Sequence, residues 1–202
     1  MFDFIGIIIK GGPVMAPLLL CSIVSLAITI ERLFFWKGMR SKDSLEEMLR
    51  LVERRDFAAA LKVGQLSKVP GARVLVAGLR HRNPSVTKAL DVAAQAEIPL
   101  LKSRVTVLDT IVTLTPLLGL LGTVIGMIGS FDIMSVAGIG QPHAVTGGVA
   151  EALIATATGL LIAILTLIPY NYFSNRAERE VEQMEYYGSR LELLLAAQDE
   201  KN

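Results

Sequence analysis

Residues 110–131 read TIVTLTPLLGLLGTVIGMIGSF, 22 positions without one Asp, Glu, Lys or Arg. A helix rises ~1.5 Å per residue and a bilayer has a hydrocarbon core ~30 Å thick, so about 20 such residues cross it. Two other charge-free runs have the same reach, residues 11–30 with 20 positions and 152–175 with 24. The 202-residue chain is 52% hydrophobic and 19% charged, with a mean hydropathy of +0.51. That composition suits three membrane spans and not one soluble core.

Charge gives the spans an orientation. Lys and Arg number one in residues 1–12 (Lys10), fourteen in 37–104, none in 131–147 and four in 174–202. Basic residues gather at cytoplasmic membrane faces. The expected plan is a periplasmic N-terminus over 1–12, a first span over 13–36 and a cytoplasmic helical region over 37–104. A second span over 105–130, a periplasmic loop over 131–147, a third span over 148–173 and a cytoplasmic helical tail over 174–202 complete it. Lys10 alone precedes the first run, too little for the basic start of a signal peptide. Glu31 and Arg32 end that run, and Phe34, Phe35 and Trp36 form an interfacial aromatic anchor, so the helix is read as retained.

The inner segment is helical by pattern. Ser44 with Glu47 forms a capping box, followed by Leu45, Met48, Leu49 and Val52 at helical spacing. Pro70-Gly71 reads as a break, Arg73–Arg82 as a short helix, and Asn83-Pro84-Ser85 as the start of another. That next helix carries an apolar stripe of Ala89, Val92, Ala93 and Ala96, with Pro99 as a kink point. The spans are expected to continue inward as helices. In the tail, Val181, Met184, Leu191 and Leu195 keep the helical period. The fold class is all-α: three transmembrane helices with long cytoplasmic helical extensions.

Composition narrows function too. A net charge of +1 argues against a nucleic-acid partner. Cys21 is the single cysteine, and His81 and His143 are the only histidines, which leaves little for a metal site or another cofactor. No nucleophile motif or phosphate loop joins these residues, so an enzyme is disfavoured.

Within the spans, Gly119, Gly122, Gly126 and Gly129 fall on one stripe, and Ala155, Gly159 and Ala163 repeat the device in the third. Small residues let membrane helices approach closely. Intramembrane polar groups are costlier and more telling. Thr123 lies seven residues inward of Ser130, ~10 Å deep, and Thr156 eight residues inward of Gly148, ~12 Å deep. An antiparallel hairpin puts both hydroxyls at one level, with Glu151 nearer the outer mouth and Thr158 close by. For each threonine the plainer reading is a bond back to its own helix. Asp109, at the inner end of span two, reads equally as an ion exit or as a carboxylate paired with Arg104, Arg176 or Arg179.

Residues 118–126 (LGLLGTVIG) and 150–157 (AEALIATA) resemble the two signature helices of the MotA/TolQ/ExbB proton-channel family, nearest to its ExbB and TolQ branch. The two motifs occur in order with a suitable loop between them, and three spans set the chain apart from the four-span flagellar stator branch. The resemblance implies an oligomeric ring in the bacterial inner membrane, a homopentamer around a lumen. It implies a partner like ExbD or TolR, with one span bearing an aspartate, two copies of which sit in that lumen. A TonB- or TolA-like protein would be a further partner. Thr123 and Thr156 would face the partner's aspartate, and Glu151 would lie towards the periplasm; Thr158 adds a hydroxyl where relatives often carry an aliphatic residue. The resemblance thus implies a subunit of a motor driven by the proton motive force, energising outer-membrane transport or envelope processes. The alternative from the residues alone is a structural membrane scaffold without ion conduction.

Overall fold

The computed structural model describes residue 6 and residues 10–39, 43–82, 85–137 and 142–199. The parts of the N-terminal segment and of the 131–147 loop beyond these bounds, with Arg40, Lys42, Asn83 and Pro84, lie outside the described residues. Among the described residues seven helices follow in order: α1 Met15–Lys37, α2 Asp43–Glu53, α3 Phe57–Leu66, α4 Pro70–Arg80, α5 Val86–Lys102, α6 Val105–Ala137 and α7 Pro142–Asp199. No strand occurs among the described residues. α1, α6 and α7 are each long and apolar enough to cross a membrane.

The chain divides into two compact units, one of Met1–Ile30 with Arg104–Asn171, the other of Glu31–Ser103 with Tyr172–Asn202. The first is the apolar one. Its centre is Val14, Met15 and Leu18 of the α1 region, Ile111 of α6 and Ile162 of α7, with Cys21, Val24 and Leu118 against them. Around that centre large apolar side chains point outward, including Leu20, Ile23, Leu117, Leu120, Leu161 and Ile164. Water would make such a surface costly, whereas a bilayer solvates it.

The second unit packs α2, α3, α4 and α5 with the C-terminal part of α7. Leu45, Met48, Leu49 and Val52 are buried as their spacing predicts. Met184, Leu191 and Leu195 of α7 are buried too, and a side chain added at Gly71 or Gly78 would meet Met184 or Leu191. Glu46 accepts from Tyr187 Oη at 3.1 Å and Arg190 Nη1 at 2.9 Å, which ties α2 to α7. Gln198 Nε2 donates to the Val52 carbonyl at 2.8 Å.

Several local expectations are corrected. The break falls just ahead of Pro70, between α3 and α4, and α4 starts at Pro70 and not at Arg73, because proline at the first turn lacks only an N–H that would go unbonded anyway. Helix α2 is described from Asp43, and the Ser44 hydroxyl in its first turn also meets Ser67 Oγ at 2.9 Å. The stripe on α5 is displaced: Val92 is exposed, and the buried positions are Leu90 and Leu101. Helical continuation beyond the apolar run holds for α7 but not ahead of α6, where Arg104, at φ 63°, separates α5 from α6. Helices also enter the expected outer loop from both ends, α6 reaching Ala137 and α7 starting at Pro142. In the aromatic anchor, Phe34 is exposed while Trp36 is buried, with the Arg176 guanidinium 5.0 Å from its ring.

Candidate functional site

Helices α6 and α7 form an antiparallel hairpin whose contact is built of small side chains. A side chain at Gly126 would strike the Gly148 carbonyl and Ala152, one at Gly122 the Ala155 methyl, and one at Gly119 the backbone of Thr156. From the other side, Gly159 lies against the Thr115 carbonyl and Gly119. Three of the four glycines of the stripe therefore serve contacts inside the chain. Gly129 has nothing within 4 Å of an added side chain and is exposed.

This register sets the level of the polar groups. With Gly122 opposite Ala155, Thr123 lies about two residues, or ~3 Å along the axis, from the level of Thr156. Both side chains are half-buried at the edge of the helix contact. Their bonds differ. Thr156 Oγ1 donates across the hairpin to the Gly119 carbonyl at 2.8 Å, while Thr123 Oγ1 turns back to Leu120 in its own helix at 2.6 Å. Thr158 also turns back, to the Ile154 carbonyl at 2.8 Å. The carbonyl of Gly119 is reachable because a glycine offers no side chain to hold α7 away.

Glu151 is half-buried on another flank of α7. Five residues separate it from Thr156, which turns the helix by ~140° net. Its carboxylate rests on Gly12, just ahead of α1, whereas Thr156 reaches α6. The structure thus brings Thr123 and Thr156 to one hairpin edge and sets Glu151 apart from them. Asp109 is exposed on α6, and its backbone carbonyl accepts Thr113 Oγ1 at 3.2 Å.

One polar contact has no signal in the sequence. Ser25 Oγ of α1 and Thr166 Oγ1 of α7 are 2.8 Å apart and both buried. Each is a lone hydroxyl in an apolar run, and helical spacing says nothing about which distant residue it meets. Only a search for serines and threonines on the inward faces of two spans could have paired them.

Three membrane-capable helices, a glycine-lined hairpin and hydroxyls at its edge define the class: a multi-pass, all-helical membrane protein with a polar seam between two spans. Residues 66–186 match the MotA/TolQ/ExbB proton channel family. The chain is 37% identical over 191 residues to the ExbB-like 3 protein of Synechocystis sp., covering 91% of each chain. It is 32% identical over 145 residues to the biopolymer transport protein ExbB of Xanthomonas campestris, covering 69% of this chain and 57% of that one. Over 89 residues it is 42% identical to the Tol-Pal system protein TolQ of Haemophilus influenzae, covering 44% of this chain and 39% of that one. The chain belongs to the MotA/TolQ/ExbB proton channel family, in its ExbB/TolQ branch, and is a multi-pass inner-membrane protein.

Proposed function

We propose that this chain is the wall subunit of a proton-driven inner-membrane motor. Five copies form a ring, and two copies of an ExbD- or TolR-like partner stand in its lumen, each bringing one membrane helix with an aspartate. The N-terminus is periplasmic, and residues 37–104 and the C-terminal tail are cytoplasmic, in keeping with the 14-to-0 contrast in basic residues between 37–104 and 131–147. The work delivered reaches outer-membrane transport or the cell envelope through a TonB- or TolA-like protein.

The observation that carries this reading is the pair of half-buried hydroxyls, Thr123 and Thr156, near one level on the hairpin; the fully buried Thr115 and Ser130 on the same hairpin donate to carbonyls of their own helix. A hydroxyl both donates and accepts, so it can solvate a carboxylate or relay a hydrogen bond, but it cannot hold a proton at mid-membrane. The partner's aspartate supplies that carrier. Protonated, the aspartate passes apolar wall at low cost; ionised, it is drawn to polar wall positions. Five wall subunits around two core helices cannot satisfy both aspartates alike, so successive protonations step the core around the ring. Glu151, farther out on α7, biases entry of protons from the periplasmic side.

The scaffold reading has its own support: Thr123, Thr156 and Thr158 all have acceptors within the chain. The two readings separate on the complex with a single-span, aspartate-bearing partner encoded beside this chain. Native mass measurement is expected to give five copies to two, and vesicles bearing the complex to take up protons only with the partner aspartate intact. Proton uptake equal with and without that aspartate, or a complex holding no partner, would favour the scaffold.

A further inference from the structure

Glu151 lies on the α7 side of the hairpin, and its carboxylate meets a turn that belongs to neither α6 nor α7. Ahead of α1 the chain reads Gly11-Gly12-Pro13, and Gly12 takes φ +71°, a conformation that side chains with a Cβ rarely adopt. A Cβ built on Gly12 would overlap the Glu151 carboxylate, whose Cδ would be 2.7 Å away. Beside it, a Cβ on Gly11 would lie 3.1 Å from Ile154 Cγ2, one turn along α7. Met15 N donates to the Gly12 carbonyl at 3.1 Å and Ala16 N to Pro13 at 3.3 Å, so the turn is bonded into the start of α1. The carboxylate therefore lies beside the turn that leads into α1.

We infer that Gly12 is a positioning residue for the proton path: its bare, left-handed backbone forms the seat on which the Glu151 carboxylate lies. The inference rests on the proposed reading of Glu151 as a pathway residue. The carboxylate is the movable end of a flexible side chain, so a methyl at residue 12 displaces it before it displaces α7. A misplacement of about 1 Å at a working group can cost up to ~100-fold in rate. Shortening the acid by one methylene withdraws it from the seat and makes room for that methyl.

The test is a cycle on the complex with its partner, with proton uptake by vesicles as the readout. Gly12→Ala and Glu151→Asp are each expected to lower uptake about tenfold, and the double variant to conduct no worse than the poorer single, because both act on one contact. Losses that multiply to about a hundredfold would overturn the inference, since Gly12 would then act elsewhere. Glu151→Gln separates the two claims. If it conducts like the parent, the pathway reading of Glu151 fails and the inference with it; if it is impaired while Gly12→Ala is not, only the inference fails. Should Gly12→Ala not assemble, Gly12→Asn takes its place in the cycle, because asparagine tolerates the left-handed conformation and still fills the seat.

Discussion

Thr123 and Thr156 carry the same side chain near one level, but their hydroxyls bond differently. The Thr156 bond to Gly119 spans two helices, while the Thr123 bond to Leu120 stays within one. Thr156→Val is therefore expected to destabilise the purified complex by ~0.6–2 kcal/mol, the range of interhelical hydrogen bonds in membranes. Thr123→Val should stay within ~0.5 kcal/mol, as a change that breaks no tertiary contact. Thermal melting in one detergent checks both, and equal shifts would show that the Gly119 bond adds nothing. In the charged unit, Tyr187→Phe removes the phenolic donor to Glu46 while Arg190 still pairs with it. An expected loss of ~0.5–1.5 kcal/mol can be read from the same melts.

The glycine stripe shows how an element can be legible while its partner is not. Spacing alone placed Gly119, Gly122, Gly126 and Gly129 on one face of α6. Nothing in that period distinguishes a neighbouring subunit from the next helix of the same chain, and three of the four meet α7. Gly126→Leu should thus split the hairpin, at ~1–3 kcal/mol or more, and yield misassembled protein on native mass measurement. Gly129→Leu is expected to leave the hairpin intact, because nothing else in the chain lies within 4 Å of a side chain added there. Equal damage from both would mean that the stripe packs elsewhere. The long tail was readable because Val181, Met184, Leu191 and Leu195 hold one phase. Pro169 does not end α7, since tertiary packing on both sides outweighs one lost bond. The seat beneath Glu151 is not legible in the sequence, because Gly-Gly-Pro signals a turn without saying which side chain will rest on it.

At the scale of the whole molecule, three charge-free runs were enough for the class and the number of spans, and the clustering of Lys and Arg supports the orientation proposed above. Orientation is open to direct labelling. With Cys21→Ser as background, Ser135→Cys should react with an impermeant reagent in intact cells and Gln65→Cys should not; both positions are exposed. Labelling of residue 65 would reverse the topology. Helical spacing already turns Glu151 away from Thr156; what sequence patterns could not supply was the neighbour each one meets, Gly12 ahead of α1 and Gly119 of α6. The central claim is that the α6–α7 edge lines the proton path, and partner-dependent proton uptake in vesicles tests it most directly. Valine keeps the branched shape of threonine and deletes the hydroxyl, so the complex carrying Thr123→Val and Thr156→Val together should assemble with its partner yet lose gradient-driven proton uptake. Uptake at the parental rate by that assembled complex would contradict the claim and leave the two hydroxyls as packing groups.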